Sequence, residues 1–265
     1  NLIVDVNGTA RKLGDVLDAW QEQDYASIDP AMQQAAGTIP YDPSTKSRSY
    51  FERPRGHSKT TDLAVTVCWM LAFATRPLRG YAYAADQGQA ALLRDAISTL
   101  CRLNPWWGAM VKVQNWNIKN TAPTHPGNGT TLEIATSDVA TSYGINPDFI
   151  IADELTHWKG EGELWHSITS SAAKRERCFL AVITNAGFAD SWQWLVREAA
   201  RQETGWVFSR LDGPQATWMT PARLQEQRRM LPEIAYLRLW ENQWSSGGGD
   251  ALRQDDIDAS FHADT

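Results

Sequence analysis

Residues 49–61, SYFERPRGHSKTT, put a short strand-like run, a tight loop with one glycine (Gly56), and Lys59-Thr60 directly ahead of an apolar stretch from Leu63 to Thr75. Strand, loop and buried helix in that order form the context of a phosphate-cradling loop: backbone N–H groups wrap the phosphates, a lysine reaches the β/γ oxygens and a hydroxyl meets Mg²⁺. The pattern G-x-x-x-x-G-K-[ST] is met in part, because Arg53 and Ser58 occupy its two glycine positions. Few other features constrain the fold as tightly, since such a loop requires a strand behind it and a helix buried on several sides after it.

The rest of the chain reads as strands alternating with helices. Val16, Leu17 and Trp20 have helix-like spacing, which predicts a polar helix before Ile39, followed by a Pro-containing loop from Gly37 to Ser47. Strands are expected at Arg79 to Ala85, Met110 to Trp116, Thr131 to Ala135, Phe149 to Ala152, Cys178 to Ile183 and Trp206 to Leu211. Helices are expected at Gln87 to Leu103, Gly162 to Lys174 and Ser191 to Gln202, with Thr220-Pro221 opening one through Met230. This alternation predicts an α/β fold, a mostly parallel sheet with helices on both faces. Three segments are expected: a helical lead-in over 1–48, a core over 49–244 that carries the phosphate-cradling loop, and a linker and tail over 245–265 that begins with SSGGG.

At 265 residues and 43% hydrophobic content, the chain can bury a substantial core. A formal charge of -6 argues against holding nucleic acid by bulk electrostatics and leaves room for a local basic surface. Three widely spaced cysteines without a C-x-x-C indicate neither a disulfide framework nor a zinc site, so a reducing, cytoplasmic setting is expected. The longest apolar stretch is too short to span a bilayer, and no charged-then-apolar leader opens the sequence. Asn7-Gly8-Thr9 and Asn128-Gly129-Thr130 read as turns.

Triphosphate hydrolysis needs a phosphate cradle, a hydroxyl and carboxylate for Mg²⁺, and a group that aims water at the γ-phosphate. Parallel α/β sheets collect such groups at the carboxyl ends of their strands. Arg55 to Thr60, Asp153-Glu154 and Thr184-Asn185 all follow expected strands. Asp153 suits a Mg²⁺-holding role and Glu154 the polarising of water; alternatively the pair is a helix N-cap with a first-turn acid. Arg55 can set a guanidinium against the γ-phosphate, or be a surface charge. His57, at the loop tip, counts with the loop as a spacer rather than a catalyst. Glu154 and His157 have an E-x-x-H spacing, but no second copy exists to build a metal cluster. Lys174, Arg175 and Arg177 read as a solvated basic turn, with a DNA or subunit contact as the alternative.

Together RPRGHSKT, FIIADE and ITNAG resemble the ATPase domain of the large terminase subunits of tailed bacteriophages, motors that drive DNA into preformed capsids. Such loops depart from the glycine pattern and carry an arginine, as at Arg55, and Thr184 to Gly187 resembles the family's coupling motif. Trp20-Gln21 is similar to the element that contacts adenine, and Leu239 to Trp244 (LWENQW) to the segment closing the domain. The resemblance implies a RecA-like P-loop core and hydrolysis of ATP with Mg²⁺. The nucleotide would be bound by Arg55, Gly56, His57, Ser58, Lys59, Thr60, Thr61 and Gln21, and the metal by Thr60 and Asp153. Glu154, Arg55 and Lys59 would be catalytic, and Thr184 and Asn185 would serve coupling. It further implies partners: double-stranded DNA, a portal protein, a small terminase subunit and a homo-oligomeric ring, usually a pentamer. The setting would be the host cytoplasm, with no membrane. A nuclease domain usually follows, and Asp255, Asp256 and Asp258 read as solvated charge rather than a two-metal site.

Departures from the family pattern weigh on this reading. Ser58 puts a Cβ where backbone approaches phosphate, which predicts weak nucleotide affinity. No arginine lies between Arg102 and Arg175, leaving Arg175 or Arg177 for any finger given to a neighbouring subunit. Two other functions share the strand-end logic: a superfamily 2 helicase-like DNA-dependent ATPase, and a nucleotide-binding assembly module that does not hydrolyse.

Overall fold

A computed structural model of the protein describes residues 2–136 and 144–246. It opens with an antiparallel hairpin, β1 (Ile3–Val6) and β2 (Thr9–Lys12). Asn7 and Gly8 both have positive φ, 52° and 82°, as a two-residue turn matched to strand twist requires. The expected N-terminal helix is corrected accordingly: after one helical turn at Leu13–Asp15, α1 spans Ala19–Ala36. Val16 and Leu17 therefore precede the helix, and only Trp20 and Gln21 ride on it. The helix stops where Gly37 adopts φ 81°, at a point where a Cβ would lie 2.5 Å from Thr75 Oγ1.

From there the chain runs through β3 (Arg48–Glu52), α2 (Lys59–Phe73), β4 (Arg79–Ala84), α3 (Gln87–Leu103) and the short α4 (Pro105–Gly108). The strand expected at Met110 to Trp116 resolves into β5 (Val111–Val113) and β6 (Asn117–Asn120), an antiparallel pair. Only Ile118 of the polar NIKN segment is an apolar side chain turned fully inward, too little for a sequence pattern to mark. Next come β7 (Thr131–Thr136), β8 (Phe149–Asp153), α5 (Glu163–Ala172), β9 (Phe179–Thr184), α6 (Trp192–Gln202), β10 (Trp206–Arg210), α7 (Pro221–Met230) and α8 (Glu233–Leu239). The linker beyond Ser246 and the acids at 255, 256 and 258 lie outside the described residues.

Eight strands form one sheet in the order β10-β3-β9-β8-β4-β7-β6-β5; the first six are parallel and β5-β6 extend it antiparallel. Residue parity divides the two faces. Phe149 and Ile151 of β8, with Phe179, Ala181 and Ile183 of β9, join the core under α1, α2 and α3. Ile150, Ala152, Leu180 and Val182 join Trp165, Ile168 and Ala200 under α5 and α6. Strands buried on both faces carry continuous apolar runs, which is why FIIA and FLAVI lack alternation. Because β9 lies between β3 and β8, register sets Glu52 beside Thr184, and Ile183 beside Asp153. The carboxyl ends of these three strands form one rim. No described helix is long and apolar enough to cross a membrane.

Candidate nucleotide-binding site

The loop from Arg53 to Ser58 leaves β3 at that rim and turns directly into α2. Its backbone is anchored on both sides: Arg53 N–H donates to Thr184 O at 2.8 Å and Arg55 N–H to Leu239 O at 2.7 Å. Gly56 and Ser58 adopt positive φ, 76° and 54°. Ser58 is thus a serine in a glycine conformation, and its hydroxyl donates to Asp62 Oδ1 at 3.2 Å. Lys59 Nζ donates back to the carbonyls of Arg53 (3.3 Å) and Pro54 (3.1 Å), a closed cradle.

Arg53 does not face the cradle. It is 2% exposed, paired with Asp24 Oδ2 at 2.9 Å and Asp62 Oδ2 at 2.6 Å, and stacked 4.6 Å over Trp20. Gln21 belongs to the same network: its Nε2 donates to both Asp62 oxygens at 3.0 Å, and its Oε1 accepts the Asp18 N–H at 3.1 Å. Gln21 lines the cleft with both ends of its amide already engaged. The unusual first residue of the loop is therefore a structural link between β3, α1 and α2.

His57 also points inward. It is 1% exposed, and its Nε2 accepts the N–H groups of Gln215 (3.0 Å) and Ala216 (3.1 Å), which leaves Nδ1 to donate to Arg55 O at 3.0 Å. The imidazole ring fastens the β10–α7 loop to the phosphate loop, so what His57 offers the cleft is not its imidazole. Trp218 Nε1 donates to Gly56 O at 2.8 Å in the same layer. Thr60 and Thr61 stand half-buried on the first turn of α2 and line the cleft, as does Arg55, which is exposed and paired with no described carboxylate.

Across the rim, Lys59 Nζ lies 3.3 Å from Glu154 Oε1. Glu154 is held in a left-handed turn at φ 51°, with its N–H on Ile183 O at 2.8 Å and its Oε2 3.6 Å from His157 Nδ1. Burial pushes the Glu154 carboxyl up, but the Lys59 ammonium and His157 outweigh burial and hold it below the ordinary carboxylate range. Asp153 behaves oppositely. It is 1% exposed, neither carboxylate oxygen has a hydrogen-bond partner, and burial reinforced by the Glu154 charge raises its pKa. Thr184 Oγ1 accepts the Thr156 N–H at 3.1 Å and meets the Thr156 hydroxyl at 2.8 Å, tying β9 to the Glu154 turn. Asn185 reaches the cleft one residue later.

The cleft encloses about 500 Å³. One wall has no counterpart in the sequence reading: Val4, Val6, Leu13, Val16 and Leu17 come from the hairpin and the turn after it, and Leu92 of α3 also lines the cleft. The Asn-Gly dipeptide between alternating residues is the signal for that wall. The arrangement therefore offers an apolar slot, a basic cradle and the Glu154 carboxylate on the cleft wall, with Asp153 and Thr184 buried behind the wall rather than lining it. Mg²⁺ fits the donors present: the unpartnered buried Asp153 carboxylate calls for a cation, and Thr60 supplies a hydroxyl at the head of the cradle. Among the described residues no three His, Cys, Asp or Glu side chains form a self-sufficient metal site. Any Mg²⁺ here would share its ligands with a phosphate or water.

A strand, a lysine-bearing loop and a buried helix, with the next two strand ends alongside in a mostly parallel sheet, define a RecA-like P-loop fold. No protein-family model and no curated protein matches the sequence. Among solved structures the chain is similar to the large terminase of bacteriophage HK97, with a TM-score of 0.73 at 17% identity over 92% of this chain and 53% of that one. It is similar to the large terminase ATPase domain of Thermus phage P74-26 (TM-score 0.61, 15% identity, 80% of this chain and 96% of that). It is similar too to the large terminase of a thermophilic bacteriophage in complex with ADP (0.65, 14%, 90% and 57%). The fold is thus that of large terminase ATPase domains, and the chain spans about half the length of the full terminases it matches.

Proposed function

We propose that the protein is the ATPase motor domain of a terminase large subunit, coupling Mg-ATP hydrolysis to movement of double-stranded DNA into a capsid. The observation that carries this reading is the 3.3 Å contact between Lys59 Nζ and Glu154 Oε1, with the unpartnered Asp153 beside it. A lysine from the loop and an Asp-Glu pair at the end of a strand, 94 and 95 residues later, share no structural need to meet. The ADP and ATP-γ-S complexes among similar structures support a nucleotide there.

In this reading the apolar wall takes the adenine, and the loop backbone from Gly56 to Lys59, with Thr61 behind it, takes the phosphates. Arg55 reaches the γ-phosphate, and Gln21 touches the base only by exchanging its bonds to Asp62. Asp153 and Thr60 hold Mg²⁺, which when bound neutralises phosphate charge. Lys59 turns from Glu154 to the β/γ oxygens, and Glu154, kept ionised, takes a proton from the water that attacks the γ-phosphorus as the β–γ bridge bond breaks. Thr184 and Asn185 convey the change along β9. Assembly as a ring, usually of five, on a portal in the host cytoplasm, with a small terminase subunit, follows from the same reading.

ATP hydrolysis by wild type, Glu154→Gln and Lys59→Ala, measured at high protein concentration with and without DNA, tests it. Glu154→Gln should bind nucleotide and lose hydrolysis by on the order of 10²-fold or more, and Lys59→Ala should lose nucleotide binding. Full hydrolysis in Glu154→Gln would remove that residue from its role. Tight binding by wild type with no hydrolysis under any condition would leave a nucleotide-binding assembly module.

A further inference from the structure

At the opposite end of the strands, where the parallel strands begin, a second group of cations gathers. Arg48 opens β3, Arg79 opens β4 with Arg76 just ahead, and Lys174, Arg175 and Arg177 precede β9. Asp148 and Glu176 stand among these six cations and Glu203 shares a hollow with Arg48, in a chain whose formal charge is -6.

Asp148 organises the cluster. It is 3% exposed, and its Oδ1 lies 2.9 Å from Arg76 Nη1 and 3.2 Å from Arg175 Nη1, while Oδ2 accepts the Arg79 N–H at 2.8 Å. Arg175 Nε donates to Asn146 Oδ1 at 2.9 Å, and the Arg177 guanidinium sits 5.5 Å over Tyr41. One buried carboxylate thus orients two guanidinium groups and cancels only one charge. The surplus faces a hollow of about 580 Å³ that Arg76, Arg79 and Arg175 share with Asn146 and Thr131.

We propose that this surface binds the phosphodiester backbone of a nucleic-acid duplex. The cations begin on β3, β9 and β4, which with β8 are four consecutive strands of the sheet. At roughly 4.8 Å per strand they spread over about 14 Å. One strand of a duplex presents a phosphate every ~3.4 Å of axis, so about four fall within that span. A row of cations suits a polyanion of fixed spacing, where a single phosphate would require them to converge. Five of the six are arginines, whose planar forks match phosphate oxygens, and the two that Asp148 holds are ordered before the ligand arrives. The nucleotide cleft and this surface are then at the two ends of the same buried strands, β3, β9 and β8. The proposal rests on the motor reading for its duplex and adds the surface that meets it, and it can be tested without nucleotide.

The test is fluorescence anisotropy of a short labelled duplex against salt from about 50 to about 200 mM, for wild type and for the combined variant Arg79→Ala, Lys174→Ala and Arg177→Ala. All three side chains are exposed and none holds the Asp148 carboxylate through its side chain. Each phosphate contact contributes about 0.9 to the slope of log affinity against log salt, so the slope should become shallower by about 2 to 3 and affinity should fall at low salt. The melting temperature should stay at its wild-type value. A wild-type slope in the variant would overturn the proposal. So would a wild-type chain that ignores the duplex and binds a polyglutamate peptide, because the surface would then serve an acidic protein. Loss of hydrolysis in every protein would count against the motor reading alone, since the slope comparison needs no nucleotide.

Discussion

Two residues of the loop show how far a motif can be read from its letters. Arg53 and Ser58 stand where glycines are usual, for separate reasons. Ser58 keeps the left-handed backbone and offsets the strain, about 1–2 kcal/mol, with its bond to Asp62. Arg53 is a buried cation between two carboxylates, and removing it would strand both at a cost of about 3–5 kcal/mol. His57 makes a prediction at the same scale. Burial, aided by the positive Lys59 and Arg53, lowers its pKa from the ordinary 6.5. The unfolded chain then takes up the proton first, so the stability contributed is fully present above about pH 6.5 and is lost as pH falls through that value toward the folded pKa. The melting temperature of wild type should fall more steeply between about pH 7 and about pH 5.5 than that of His57→Gln. Asp153, whose raised pKa gives the opposite trend, is common to both proteins and cancels in the difference. Parallel curves would sink the assignment. The inward turn of His57 was not legible, because its partners are backbone groups about 160 residues away, on Gln215 and Ala216.

Among the elements, legibility followed burial. The strands FIIAD and FLAVIT and the helix Gln87–Leu103 announce themselves through apolar runs or a 3.6-residue period. So does the convergence of their ends, because a parallel sheet leaves the segments after β3, β8 and β9 nowhere else to go. The hairpin is illegible for the opposite reason: β2 is exposed throughout, and its four residues per strand carry too short a pattern. The hairpin nevertheless forms the apolar wall of the cleft, and one side chain moors it to α3. Asn104 accepts the Ile3 N–H and donates to Ile3 O, both at 2.8 Å. Asn104→Ala should free the hairpin at a local cost of about 1–3 kcal/mol. Amide exchange in residues 3–12 should quicken, and affinity for an ATP analogue should weaken on the order of tenfold, while α2 and the central strands keep their protection. Unchanged affinity alongside faster exchange would separate the hairpin from the nucleotide site.

For the whole molecule, what matters is how the last described segment closes over the rim. Asn242 is fully buried in a left-handed conformation at φ 56°. Its Oδ1 accepts the Ala186 N–H at 2.9 Å, and its Nδ2 donates to Glu52 O at 3.0 Å and Leu211 O at 2.9 Å. One amide thereby fastens the ends of β9, β3 and β10, while Leu239, just before it, receives the N–H of Arg55 from the phosphate loop. Beneath it the Glu52 carboxylate, fully buried, is shared by Arg197 at 2.7 Å and Arg210 at 2.9 Å. The sequence marks LWENQW as a closing segment only through resemblance, since nothing in its composition says that the asparagine is the clasp. Asn242→Gly keeps the backbone conformation and removes three hydrogen bonds, each contributing about 1 kcal/mol. At roughly 2–4 °C per kcal/mol for a chain of this size, the melting temperature should fall by about 6–12 °C. Asn242→Asp should be worse, because it loses both donors and adds a buried negative charge beside two carbonyls. A bound ATP analogue should restore part of the loss in Asn242→Gly, because the ligand holds the same loop from the other side. An analogue that stabilises wild type but gives no shift in the variant would mean that the clasp creates the nucleotide site rather than merely steadying it.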